Sequence, residues 1–270
     1  MKTIVVNIDH PEMITPRLRL TRELANAHRA HVIAAHSIPL VGMSAGDLYG
    51  GADSIAHLAD IYREEADKLR IITERELDDS DLTWEWSQHD GDCAAHLIEH
   101  SKLADLVLVG PTAPSDFKSV LPLPVAPAVA LHACAPVLVV PLDPPRYAPK
   151  APIMVGWNGS TEAARVLKMS LSLLRAAAQV WVVYVHEDTD LVIPAPDIAA
   201  YLTRHGVQVR VSCEAPQGSI ADTLQSLARQ QGASMIMVGA YGRPRVVEYI
   251  FGGVSRALLK DPKLPIAMTH

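Results

Sequence analysis

Short unbroken apolar runs recur along this chain, separated by longer stretches in which apolar positions return every three or four residues. Ile4-Val5-Val6, Leu106-Val107-Leu108-Val109, Val137-Leu138-Val139-Val140 and Met235-Ile236-Met237-Val238 are of the first kind. Runs of this length without polar alternation read as strands buried on both faces. The pattern predicts strands near 3–9, 31–38, 83–88, 105–110 and 136–141, then near 153–158, 179–187, 207–213, 235–239 and 265–269. Helices are predicted near 15–29, 53–78, 92–102 and 125–132, then near 160–177, 195–205, 218–231 and 253–260. Ser160 suits the cap of the helix that follows it, with Glu162 in its first turn. Alternating strands and helices imply an α/β fold of parallel sheets covered on both faces. Such folds bind ligands at the carboxyl ends of strands, near a topological switch point.

The order of elements repeats. Ile4-Val5-Val6-Asn7-Ile8-Asp9 aligns with Ile153-Met154-Val155-Gly156-Trp157-Asn158. Asp105 through Gly110 aligns with Ser234 through Gly239, and Ala135 through Val140 with Leu264 through Thr269. The first copy is longer in its middle, around Pro39 to Glu76, where Gly42, Gly46, Gly50 and Gly51 lead into a long helix. Repeats of this length indicate duplicated domains rather than solenoid units. The expected units are 1–141 and 153–270, joined by 142–152. Prolines at Pro141, Pro144, Pro145, Pro149 and Pro152 make that connection extended and semi-rigid.

Composition narrows the function. Of 270 residues, 49% are apolar but only 5% aromatic, so the core is built of Ala, Val, Leu and Ile. Lys plus Arg number 24 against 30 Asp plus Glu, a formal charge of −6, which argues against a nucleic-acid partner. No apolar stretch reaches the length of a membrane span, and the N-terminus goes directly into a strand pattern without the layout of a signal peptide. Cys93, Cys134 and Cys213 are far apart and form neither a metal motif nor a disulfide framework, so a reduced cytoplasmic setting is expected. There is no Gly-x-x-x-x-Gly-Lys-Ser/Thr loop, no Gly-x-Ser-x-Gly elbow and no Gly-x-Gly-x-x-Gly after a first strand.

The most specific chemistry lies at the end of the predicted strand 235–239. Gly239 and Gly242 follow it; after nine further residues come Gly252, Gly253, Val254 and Ser255 at the start of a helix. Glycines let a backbone turn sharply and lie close to a ligand. A helix start offers unpaired N–H groups and the positive end of its dipole to phosphate. This spacing, with Val155 through Ser160, Ala163-Ala164-Arg165, Val183-Tyr184-Val185-His186 and Leu264-Pro265-Ile266, resembles the universal stress protein family. The resemblance covers nearly all of 151–270 and, more loosely, 1–141. It implies the adenine nucleotide alpha hydrolase-like fold in two tandem copies, which would pack as a pseudo-dimer through their final strands, with further homodimerisation open.

The resemblance also implies a ligand. ATP or a related adenine nucleotide would be gripped by Asn158 and Val185 at the base or ribose. Gly239, Gly242, Gly252, Gly253 and Ser255 would hold the phosphates, with Mg²⁺ accompanying them. Two positions depart from the family pattern. Gly253 stands where Ser or Thr is usual, and Asn158 where Asp is frequent. Losing one hydroxyl donor is expected to weaken binding by roughly one to two decades. Ser255 is expected to compensate. No general base for hydrolysis is legible, so at most slow turnover is expected.

The first copy departs further. After Gly110 no second glycine follows, and Pro111 and Pro124 remove donors that a phosphate needs. Asp9 remains in the adenine-facing position, and the half reads as a degenerate, structural copy. The glycines also have a plain reading as tight turns that pack helix on sheet, and Asn158 one as a local turn former. Arg243 and Arg245 read as solvated surface residues, and Tyr241 as a cover for either a nucleotide or the sheet edge. His96 and His100 share a helix face, but no third metal ligand is placed beside them by sequence. The leading reading is therefore a nucleotide-binding stress regulator. A scaffold without nucleotide is the alternative, and a dinucleotide oxidoreductase is disfavoured.

Overall fold

Runs that are apolar on every side chain need cover on both faces, and helix layers on the two sides of one continuous sheet provide it. A computed structural model describes residues 1–39, 52–78, 81–112, 123–185, 195–240 and 253–270. The first repeat contributes β1 (Thr3–Ile8), α1 (Pro11–His28), β2 (His31–Ile38), α2 (Ala52–Leu77) and β3 (Trp84–Asp90). It continues with α3 (Cys93–Ser101), β4 (Leu106–Val109), α4 (Val125–His132) and β5 (Val137–Val139). The second contributes β6 (Ile153–Gly156), α5 (Thr161–Met169), α6 (Leu171–Ala176), β7 (Val180–Val185) and α7 (Ala195–Arg204). It ends with β8 (Val209–Glu214), α8 (Ile220–Gln230), β9 (Met235–Gly239), α9 (Gly253–Lys260) and β10 (Ile266–Thr269).

Among the described residues the strands form one ten-stranded sheet in the order β3-β2-β1-β4-β5-β10-β9-β6-β7-β8. Each half is a parallel five-stranded array. The halves meet where β10 pairs antiparallel with β5, in the register Ile266↔Val139, Ala267↔Leu138 and Met268↔Val137. The strand period of two sends alternate side chains to opposite faces. Ile4, Val6, Ile8, Leu138 and Ala267 join the layer under α1, α2, α5, α6 and α7. Val5, Val137, Val139, Ile266 and Met268 join the layer under α3, α4, α8 and α9. Both layers run through both repeats, so the antiparallel pair is part of the core.

Local chemistry sets the helix starts. The side chains of Asp92, Ser160 and Ser219 cap α3, α5 and α8 by accepting from Ala95 N, Ala163 N and Asp222 N. Two helices differ from expectation. α1 opens at Pro11 rather than near residue 15, because a proline at the first helical position has its φ already set and needs no N–H partner. The stretch 160–177 is two helices, because Ser170 leaves helical geometry (φ −98°, ψ 14°) and its carbonyl accepts from both Leu173 and Leu174. The connecting segment is strapped to α1. Arg19 donates to the Pro144 carbonyl, Glu23 accepts from the Tyr147 N–H at 2.7 Å, and Glu23 pairs with Arg146 at 3.0 Å. No helix of the described residues is long and apolar enough to cross a membrane.

Leu138 is fully buried on β5 against the partner strand. Truncating a buried leucine removes apolar contact and leaves a cavity, at a cost of about 2–5 kcal/mol. Leu138→Ala is expected to lower the urea midpoint accordingly, with far-UV circular dichroism and tryptophan fluorescence still reporting one transition. Divergent transitions would show that the halves do not share a core.

Candidate functional site

Two crevices follow from the strand order. In each repeat the chain leaves its first strand toward one side of the sheet and later fills the other, so the strands part at β1/β4 and at β6/β9. Asp9 and Gly110 flank the first crevice. Asn158 and Gly239 flank the second.

The second crevice gathers most of the residues singled out by sequence. Trp157 N–H donates to the Val183 carbonyl at 2.9 Å, tying the end of β6 to β7, and Asn158 follows at once, exposed. Val185 ends the neighbouring β7 and is buried. Ser255, in the first turn of α9, turns its hydroxyl to the Gly239 carbonyl at 3.5 Å, so the helix start rests on the end of β9. Gly242 and Gly252 lie outside the described residues, as do Tyr241, Arg243, Arg245 and the Gly42–Gly51 loop.

Each described residue also has a local task. Asn158 Oδ1 accepts the Ser160 N–H at 3.1 Å, a turn that feeds α5. A Cβ on Gly239 would lie 2.5 Å from the Ala163 backbone nitrogen and 2.9 Å from Glu162 Cβ, so the start of α5 presses directly on β9 and requires glycine there. Gly253 differs: a Cβ there would meet none of the described residues within 4 Å. A groove of about 320 Å³ between α8 and α9 is lined by none of these residues.

The first crevice is filled by the protein itself. A Cβ on Gly110 would lie 2.3 Å from an Arg17 guanidinium nitrogen. That guanidinium, only 2% exposed, donates to the Asn7 carbonyl at 2.7 Å and pairs with Asp9 at 3.0 Å. Asp9 further accepts from Asn7 Nδ2 at 3.1 Å and from its neighbour His10 N–H at 2.7 Å. The Cys93 thiol donates to Asn7 Oδ1 at 3.2 Å, and burial, then the Asp9 charge, pushes it up to about 11, so it stays protonated at neutral pH. Sequence reasoning missed Arg17. The signal was there: Ile14, Arg17, Leu18 and Thr21 follow helical spacing on the buried face of α1, and a cation on such a face needs an acid. Removing one partner of a buried pair costs about 3 kcal/mol or more. Arg17→Met is expected to destabilise the chain by about that amount in urea denaturation; a loss under about 1 kcal/mol would mean the pair is dispensable.

His96 and His100 do converge. Their Nε2 atoms lie 3.1 Å apart, within 3.1 and 2.9 Å of the Ser87 hydroxyl on β3. Burial, then the charges of His100, His89 and His36, push the His96 imidazole down to about 4. Burial likewise lowers His28. Free histidine titrates near pH 6.5, so on acidification the unfolded chain takes up the proton first. The stability due to a neutral His96 is complete above pH 6.5 and lost as pH falls toward 4. Urea midpoints measured from pH 7 to pH 4 are expected to fall, and to fall less steeply in His96→Gln. Equal slopes would show that His96 is not the group responsible.

A profile of the universal stress protein family matches residues 1–141 and again 151–270, and the chain belongs to that family. It is similar over 98% of its length to 94% of a universal stress protein from Archaeoglobus fulgidus, at 17% identity and a TM-score of 0.72. It is similar over 99% of its length to 92% of a functionally unknown protein from Pseudomonas aeruginosa, at 13% identity and a TM-score of 0.55. These likenesses show the fold. No curated protein matches the chain.

Proposed function

We propose that this universal stress protein binds ATP or a related adenine nucleotide in the crevice between β6 and β9, and that it serves as a cytoplasmic stress-response sensor or regulator. In this reading residues 153–270 form the binding unit, 1–141 a structural copy, and 142–152 their strap. The observation that carries it is the meeting of four strand and helix ends. Val185 and Gly239 end β7 and β9, Asn158 lies two residues past the end of β6, and the Ser255 contact brings the first turn of α9 to the end of β9.

The donor set fits an anion with a base beside it. Among the described residues the first turn of α9 contains no acid and nothing comes within 4 Å of a Cβ on Gly253, which supports a helix start that offers its amides to phosphate. Asn158 Oδ1 is taken by Ser160, which leaves the carboxamide nitrogen with its two donors for the ligand. Mg²⁺ would travel with the phosphates. The three cysteines are free, as a reduced compartment requires. A scaffold without nucleotide is the competing reading. It draws on Gly239, whose lack of a side chain is fully explained by the packing of α5, and on Ser255, whose hydroxyl is turned to a carbonyl.

Gly253 separates the two, because a Cβ there would meet none of the described residues within 4 Å. Gly253→Asp places a carboxylate at a helix N-terminus, which favours folding by about 0.3–1 kcal/mol and repels phosphate. Equilibrium titration with a fluorescent ATP analogue and Mg²⁺ is expected to show binding to the parent protein and at least a tenfold loss in the variant, with an unchanged or raised melting temperature. No binding by the parent at millimolar nucleotide, or equal affinity in both, would favour the scaffold.

A further inference from the structure

Among the described residues outside both crevices, one cluster of side chains remains without a task. It lies on the outer edge of the first repeat, between edge strand β3 and helix α3. His96 Nε2, His100 Nε2 and Ser87 Oγ form a triangle with edges of 3.1, 3.1 and 2.9 Å. The Ser37 hydroxyl, on β2, sits 3.1 Å from His96 Nδ1. His89 stands on β3 two residues from Ser87, hence on the same face, with its ring centroid 5.2 Å from that of His96.

Protein hydrogens do not satisfy this triangle. When His96 Nδ1 carries its proton toward Ser37, His96 Nε2 presents a lone pair. Only the Ser87 hydroxyl and one proton on His100 are then available for three short edges. Each Nε2 either donates or accepts, so at most two edges carry a proton of their own and the third has none. A cation at the triangle removes the conflict by accepting all three lone pairs.

The size is right for a first-row divalent ion. Nitrogen ligands at 2.0–2.1 Å in a tetrahedron stand roughly 3.3 Å apart, so the three atoms need to separate by only a few tenths of an ångström. The outer contact of His96 Nδ1 with Ser37 is the kind of support that fixes the tautomer of a metal-bound imidazole. Access is open. His100 lines a groove of about 690 Å³ together with Glu99, Lys102 and His31.

We propose that His96, His100 and Ser87 form a binding site for a zinc-class divalent cation, clamping α3 to the edge strand β3. Imidazole nitrogen suits Zn²⁺, Co²⁺, Ni²⁺ and Cu²⁺ rather than Mg²⁺ or Ca²⁺. Among the described residues no three His, Cys, Asp or Glu side chains converge to hold a metal. The hydroxyl is therefore the third atom and water the fourth, and the site is exchangeable rather than closed. His89 is the neighbour placed to replace water. The site lies in the first repeat and does not depend on nucleotide binding in the second.

Titration of the chelator-stripped full-length protein with Co²⁺, followed in the visible, tests it. The expected result is one Co²⁺ per chain, with d–d absorption of a four-coordinate ion and without the sulfur charge-transfer band that a cysteine ligand gives. Zn²⁺ is expected to abolish the signal by displacement. His96→Gln and His100→Gln are each expected to weaken binding at least tenfold, and Ser87→Ala by less; His57→Gln, exposed on α2, leaves it unchanged. Zn²⁺ is also expected to raise the melting temperature of the parent by several degrees and that of His100→Gln by none, with circular dichroism confirming that the variants fold. Binding of equal strength in the His96→Gln/His100→Gln double variant, or a thiolate spectrum, would overturn the proposal.

Discussion

The antiparallel contact of β5 and β10 is the constraint on which the rest depends. Each repeat by itself is a five-stranded parallel array whose fifth strand is short and apolar on both faces. β5 has only three residues, Val137, Leu138 and Val139, all fully buried. Left at an edge, it would expose unpaired backbone groups and bare apolar surface to water. Pairing it with β10 removes both edges at once and merges the cores of the two repeats into continuous layers above and below the sheet. The proline-rich segment contributes by strapping itself to α1 through Arg19, Glu23 and Arg146 rather than swinging free.

Within that frame the two repeats differ at the same topological position. Strand order opens a crevice beside the first strand of each. In the first repeat Arg17 of α1 lies against Gly110, held by Asp9 and the Asn7 carbonyl. In the second repeat the residue that aligns with Asp9 is the neutral Asn158, α5 closes directly on Gly239, and a Cβ on Gly253 at the start of α9 would meet none of the described residues within 4 Å. The proposed nucleotide and metal sites fall in different repeats and on different chemistry, one on backbone amides and one on imidazoles.

Much of the fold was legible because its signals are local. Unbroken apolar runs gave the strands, Ser160 marked a helix start, and the repeated order of elements implied a parallel sheet in each half. What sequence pattern handles poorly is backbone detail decided by neighbours: the early start of α1 at Pro11 and the break at Ser170. Of the candidate site, the positions of Asn158, Val185, Gly239, Gly253 and Ser255 relative to strand and helix ends could be read in advance. Their local tasks could not. That Gly239 is required by the α5 backbone, and that Arg17 plugs the other crevice, are facts of packing between residues distant in sequence. The meeting of Ser87 with His96 and His100 is of the same kind: helical spacing pairs the two imidazoles, but only the β3–α3 contact supplies the hydroxyl.

Native-state amide hydrogen exchange measures the central constraint most directly. Backbone amides of 137–139 and 266–268 are expected to be among the slowest in the chain, exchanging only through global unfolding and with the same free energy as the amides of β1 and β6. Exchange of the β5 and β10 amides through a smaller opening, while β1 and β6 stay protected, would contradict the account and show two units that fold apart and merely touch.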